Sequence, residues 1–118
     1  MKLNHLNLSV TDVPATAALL EKHFGLRPMP IEVDPQTMAF LSDDNGAAIT
    51  LMNMGDEAKI KYPGTFHIGF AQESEKRVNE IHRGLVADGY KAAAPRRFHG
   101  SWTFYFRAPG GFLIEVLC

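Results

Sequence analysis

Two histidines of this chain, His5 and His67, each take the second position of an alternating run. The runs are Asn4-His5-Leu6-Asn7-Leu8 and Phe66-His67-Ile68-Gly69-Phe70. A single carboxylate, Glu115, interrupts the apolar run Phe112-Leu113-Ile114-Glu115-Val116-Leu117. Two imidazoles and a carboxylate suit Mn, Fe, Ni or Zn, and three protein ligands leave positions open for a substrate. An ionised carboxylate buried in such a strand is costly unless paired. A divalent cation is one partner for Glu115, an arginine such as Arg107 is another, and an exposed edge strand would need none. A strand histidine taken alone is commonly structural or exposed.

The three residues gain weight from an internal repeat. Residues 40–51 read against 105–116, Phe40-Leu41-Ser42 against Tyr105-Phe106-Arg107 and Ala48-Ile49-Thr50-Leu51 against Leu113-Ile114-Glu115-Val116. The offset is 62 residues from His5 to His67 and 65 from Thr50 to Glu115. Two similar units burying a shared core would bring equivalent residues together near a pseudo-twofold axis. His5, His67 and Glu115 therefore become a candidate two-histidine, one-carboxylate metal site.

The elements that must position them follow from pattern. Residues 2–10 alternate as a strand, with Leu6, Leu8 and Val10 on one side and Leu3, His5, Asn7 and Ser9 on the other. Asp12 caps a helix with Pro14 in its first turn, a stripe of Val13, Ala17, Leu20 and Phe24, and Gly25 as its left-handed stop. Strands are expected near 27–33, 36–42 and 47–54. The second half repeats the plan: a strand over 65–71, a helix capped by Ser74 with the stripe Val78, Ile81 and Leu85, a stop at Gly89, and strands near 90–94, 102–107 and 112–117. The expected class is α+β, a single domain over 1–118 made of two βαβββ modules (about 1–55 and 64–118, joined by 56–63).

Strand parity extends the site. Asn7 shares the His5 side, whereas Gly69 and Ala71 leave room beside His67. Met38, Phe40 and Ser42 match Thr103, Tyr105 and Arg107, and all six are expected to line one cavity with Thr50. Met52 and Met54, near the end of the fourth strand, could soften a substrate pocket, although core packing explains them as well; Trp102, next to Thr103, is a further substrate-binding candidate. His99, in the basic stretch Arg96-Arg97-Phe98-His99-Gly100-Ser101, is either an acid/base group or part of a plain surface loop. His23 is placed in the last turn of the first helix, where a cation favours the dipole, and His82 on a solvated helical flank. Cys118 reads as a bystander.

Composition narrows the partners. A net charge of -1 gives no footprint for nucleic acid or an anionic membrane. No apolar run approaches a membrane span, the start is not a signal peptide, and one cysteine forms no internal disulfide. The cytoplasm is the expected compartment.

With these motifs in hand, the chain resembles the vicinal oxygen chelate superfamily of glyoxalase I, extradiol dioxygenases, and fosfomycin and bleomycin resistance proteins. The resemblance rests on residues 3–10 with the following helix, on 66–70 and on 104–115, and spans nearly the whole chain. It implies paired βαβββ modules forming a cupped mixed sheet around one divalent metal ion (Mn, Fe, Ni or Zn) held by His5, His67 and Glu115. It also implies a homodimer in which chains often share sites. Glyoxalase I has a glutamate where Thr50 stands, so that activity is not expected. Tyr105 matches a cavity tyrosine of the fosfomycin group, but Asn7 and Pro95 replace its threonine and lysine. The expected function is a metal-dependent enzyme, of lyase, transferase or dioxygenase type, that chelates a small oxygenated molecule. Tyr105 and His99 are its catalytic candidates; Asn7, Phe40, Thr50, Met52, Trp102, Thr103 and Arg107 are its substrate-binding candidates. The alternative is a non-catalytic drug- or metabolite-binding protein using the same cavity.

Overall fold

Asp12 and Ser74 stand at the same point of the repeat, and each starts a helix by the same device. In the computed structural model, which describes residues 1–55 and 60–118, both have extended backbones and side chains that accept a backbone N–H three residues on. Asp12 Oδ1 accepts from Ala15 N at 3.0 Å, and Ser74 Oγ accepts from Arg77 N at 3.1 Å. Helix α1 runs Val13–Phe24 and ends at Gly25, whose φ of 68° closes the last turn. Helix α2 runs Glu75–Ala87.

The strands are β1 (His5–Ser9), β2 (Arg27–Pro28), β3 (Met38–Ser42), β4 (Ala48–Met52), β5 (His67–Ala71), β6 (Arg96–Phe98), β7 (Ser101–Arg107) and β8 (Leu113–Leu117). They form two four-stranded sheets, ordered β1-β4-β3-β2 and β5-β8-β7-β6. In each, the first strand lies parallel to the last and the other pairs are antiparallel. The expected α+β class and the βαβββ plan of each half are both present. Residue contacts divide the chain into one unit of Met1–Lys61 with Pro109–Gly111 and another of Tyr62–Ala108 with Phe112–Cys118. Part of the expected 56–63 joint, residues 56–59, lies outside the described residues.

Each unit has its own core. The first buries Leu8, Val10, Leu19, Leu20, Leu41 and Leu51; the second buries Val78, Ile81, Leu85, Phe104, Ile114 and Val116. The inward face of α1 differs from the expected stripe, because Thr16, Leu19 and His23 are buried while Ala17 and Phe24 are only half-buried. Thr16 is tolerated there because its hydroxyl donates to Asp12 O at 2.6 Å. His23 stands in the last turn of α1, as expected, and is buried there with this face. His82 is likewise half-buried, with Nε2 donating to Ala92 O at 3.2 Å and its ring edge-on to Phe104.

Two strand expectations are corrected. The expected strand at 27–33 shrinks to Arg27–Pro28, extended by Met29 N donating to Phe40 O at 2.8 Å, because Pro28 and Pro30 have no N–H to continue a ladder. No strand forms at 90–94, where only an isolated bridge joins Ala92 to Phe106. The strand forms instead at Arg96–Phe98, inside the stretch read as a loop. Phe98 pairs with Ser101 across a two-residue turn, His99 and Gly100, with φ of 50° and 80°. Positive φ at both positions matches the right-handed twist of the hairpin.

We expect Ser74→Ala to lower unfolding free energy by about 1 kcal/mol and Leu85→Ala by about 2–5 kcal/mol. Urea titration followed by circular dichroism measures both; a cap variant with an unchanged midpoint would contradict the first.

Candidate functional site

Strand register, carried from one module to the other, sets out the two sheet faces that bear the candidate ligands. In the first unit, Asn7 pairs with Thr50 and Thr50 with Phe40, while His5 pairs with Ala48 and Met52 with Met38. In the second, Gly69 pairs with Glu115 and Glu115 with Tyr105, while His67 pairs with Leu113 and Leu117 with Thr103. Thr50 and Glu115 thus hold equivalent places, as do Phe40 and Tyr105.

On the first face, His5, Asn4, Asn7, Met29, Met38, Phe40, Ala48, Thr50 and Met52 line a cleft of about 470 Å³. Ser42 is not among its walls. His5 Nδ1 lies 2.8 Å from Asn4 Oδ1. With that oxygen accepting, the neutral ring carries its proton on Nδ1 and keeps the Nε2 lone pair available.

On the second face, Glu115 is nearly enclosed and its oxygens are separately engaged. Oε1 accepts from Thr103 Oγ1 at 3.0 Å, and Oε2 lies 3.5 Å from His67 Nε2. His67 Nδ1 is 2.9 Å from Thr65 O, a carbonyl that can only accept. The neutral ring therefore turns its Nε2 lone pair toward a carboxylate oxygen, an arrangement that calls for a proton or a cation between them. Two ligands at about 2.1 Å from one metal stand about 3.0–3.5 Å apart in octahedral or tetrahedral geometry. The observed spacing and the donor types both fit a divalent ion.

Tyr105 completes this face, its ring edge-on to His67 with centroids 5.5 Å apart. Lost hydration, then the hydrogen bond to Glu115 and that residue's negative charge, push the Tyr105 phenol above its ordinary 10.0; Arg96 pulls weakly the other way. The phenol is thus kept neutral and able to donate. Opposite Glu115, a Cβ on Gly69 would lie 3.5 Å from Leu117 Cδ2 and 3.8 Å from Glu115 Oε2, so the glycine leaves the carboxylate uncovered.

Some expected members lie elsewhere. Trp102 projects to the opposite side of β7 from Thr103 and Tyr105, because side chains alternate along a strand. Its Nε1 donates to Asn79 Oδ1 of α2 at 2.9 Å, and the Arg97 guanidinium stacks 5.5 Å from its ring. That places Trp102 with the helix, not with Glu115. His99 occupies the β6–β7 turn, exposed and against Phe98. Ser101 to Tyr105 spans about 13 Å of strand, so His99 lies beyond hydrogen-bond reach of Glu115 in its own chain. Arg107 is exposed on the strand opposite Leu113.

Other members become visible only in the structure. Asn4 and Thr65 orient the imidazoles, each one or two residues before its histidine. Arg96 pairs with Thr103 and so shares the Glu115 face; the His99-Gly100 turn was the signal for it. Among the described residues, no group of three or more His, Cys, Asp or Glu side chains is placed to hold a metal ion. No helix among them is long and apolar enough to cross a membrane.

Comparison with known proteins fixes the lineage. Residues 2–116 match the Glyoxalase/Bleomycin resistance protein/Dioxygenase superfamily. The chain belongs to this superfamily. Among solved structures, this superfamily member is similar to a possible glyoxalase from Bacillus cereus, with 43% identity, a TM-score of 0.88, and coverage of 100% of this chain and 99% of that one. It shares its fold with a lactoylglutathione lyase from Agrobacterium tumefaciens (19% identity, TM-score 0.74, coverage 98% and 92%). It also shares it with a genomically encoded fosfomycin resistance protein from Listeria monocytogenes (23%, 0.78, coverage 99% and 92%). No curated protein matches the sequence significantly.

Because the space over Gly69 is ordinary van der Waals distance, Gly69→Ala should leave stability unchanged or raise it by up to about 1 kcal/mol. A loss of more than that in thermal or urea unfolding would mean the backbone there is more tightly held than its contacts indicate.

Proposed function

We propose that this superfamily member is a metal-dependent enzyme acting on a small molecule with two adjacent oxygens. The observation that carries the reading is the 3.5 Å approach of His67 Nε2 to Glu115 Oε2 with the His67 Nδ1 proton committed to Thr65 O. His5, at the repeat-equivalent position, has its Nδ1 engaged in the same way. These three residues would hold the ion, Mn, Fe, Ni or Zn by donor type. When bound, it would supply Lewis acidity toward the two substrate oxygens.

The chain's own residues do the rest. Tyr105, neutral and beside Glu115, would turn its single O–H from that carboxylate to a substrate oxygen on which negative charge develops. Thr103 holds Glu115 in one orientation. Asn7 and Thr50 offer hydrogen bonds from the His5 face, and Arg96 and Arg107 present positive charge to an anionic substituent. In keeping with the resemblance, the reading takes the protein as a homodimer in which a site draws on both chains. Thr50 gives no carboxylate for moving a carbon-bound proton, which speaks against glyoxalase I chemistry.

Metal analysis of anaerobically purified protein should give about one divalent ion per chain, and Glu115→Gln or His67→Ala should lower that content at least about tenfold. Retention of full metal content by both variants would refute the ligand set. Sedimentation at micromolar concentration should give about twice the 13.1 kDa chain mass; a clean monomer that still binds metal would remove the shared site. Tight equilibrium binding of substrate analogues with no turnover under any of these metals would favour sequestration instead.

The native protein should show little turnover of the methylglyoxal–glutathione hemithioacetal, and Thr50→Glu should tighten divalent metal binding. Robust native turnover would restore glyoxalase I as the function.

A further inference from the structure

The face of the first sheet carries a chemistry that its counterpart lacks. Met29, Met38, Phe40 and Met52 form an apolar wall beside His5, Asn7 and Thr50 in the 470 Å³ cleft. These side chains are not part of the module's core, which lies on the other face of the sheet under α1, at Leu8, Leu41 and Leu51. The fold does not demand them either. At the equivalent register positions the second module has Thr103 for Met38, Tyr105 for Phe40 and Leu117 for Met52. One module thus presents thioethers and a phenyl ring where the other presents a hydroxyl, a phenol and one aliphatic group. All four wall residues are half-buried, so they meet solvent when the cleft is empty.

Methionine is unbranched and polarisable, and its sulfur makes favourable contacts with aromatic rings. Three of them around one cleft accept flat or branched apolar groups of varied shape. A volume of this size lies within the range of small-molecule sites, which combine an apolar lining with a few convergent polar groups. Here the polar groups are Asn7, Thr50 and His5.

We infer that this cleft is a specificity subsite for an apolar substituent, aromatic or branched alkyl, carried next to the chelating oxygens of the substrate. The inference rests on the metal-site reading above, since His5 is what ties the cleft to the chelated end. A small hydrophilic chelator would leave the wall unfilled and bind weakly.

The five methionines make the test direct. Met29, Met38 and Met52 line the cleft, while Met1 and Met54 lie outside it with relative exposures of 126% and 66%. Methyl-13C-methionine protein, loaded with zinc, is titrated with benzohydroxamate and with acetohydroxamate, two chelators that differ in the apolar group. Benzohydroxamate should shift the Met29, Met38 and Met52 signals, spare Met1 and Met54, and bind about tenfold or more tightly than acetohydroxamate. The double variant Met38→Thr, Met52→Thr, which borrows the second module's residue at position 38, should lose most of that preference while keeping its affinity for acetohydroxamate. Equal affinities with unmoved cleft signals, or an undiminished preference in the double variant, would overturn the subsite. If benzohydroxamate shifts the cleft signals equally with and without zinc, the apolar subsite stands and the chelation reading falls.

Discussion

The parallel pairing of the first and last strands of each module is the constraint on which the rest depends. It sets His67 against Leu113 and Gly69 against Glu115, so that histidine and carboxylate emerge on one face within reach of each other. An antiparallel arrangement of the same two strands would reverse the order of residues along β8 relative to β5. The helix between the strands is what makes parallel pairing possible, since a tight turn cannot connect two parallel strands. The helix caps at Asp12 and Ser74 start the two helices that carry these crossovers.

Register also explains how one architecture carries two different halves. The opposite face of each sheet is committed to packing and is uniformly apolar, Leu41, Ile49 and Leu51 in one and Phe104, Phe106 and Ile114 in the other. Substitutions on the open face cost little core energy, so Thr50 and Glu115, or Phe40 and Tyr105, can occupy equivalent places without altering the fold. The partial burial of Glu115 is offset locally by the Thr103 hydroxyl on the neighbouring strand, while Gly69 opposite leaves the Oε2 side uncovered.

Much of this was legible in the sequence because its signals are local. The caps, the glycine stop at Gly25, the alternation around His5 and His67 and the repeat register all lie within a few residues of what they determine. The α1 face was misjudged because Thr16 is a polar residue whose burial depends on a bond back to Asp12 O, which composition does not announce. Strand β6 was missed because its turn uses a histidine at positive φ instead of the usual asparagine or glycine, leaving Arg96–Phe98 to read as a basic loop. Trp102 reads with its neighbours Thr103 and Tyr105, which belong to the Glu115 face; alternation alone separates it from them.

The two imidazoles are steadied by different kinds of acceptor. His67 leans on a main-chain carbonyl, which every amino acid at position 65 supplies. His5 leans on the side chain of Asn4, which a single nucleotide change can remove. The orientation of His67 is therefore insensitive to the residue type at position 65, whereas that of His5 is exposed to drift at position 4. Divergence within such a lineage would first free the His5 ring to turn, while the His67–Glu115 approach kept its geometry.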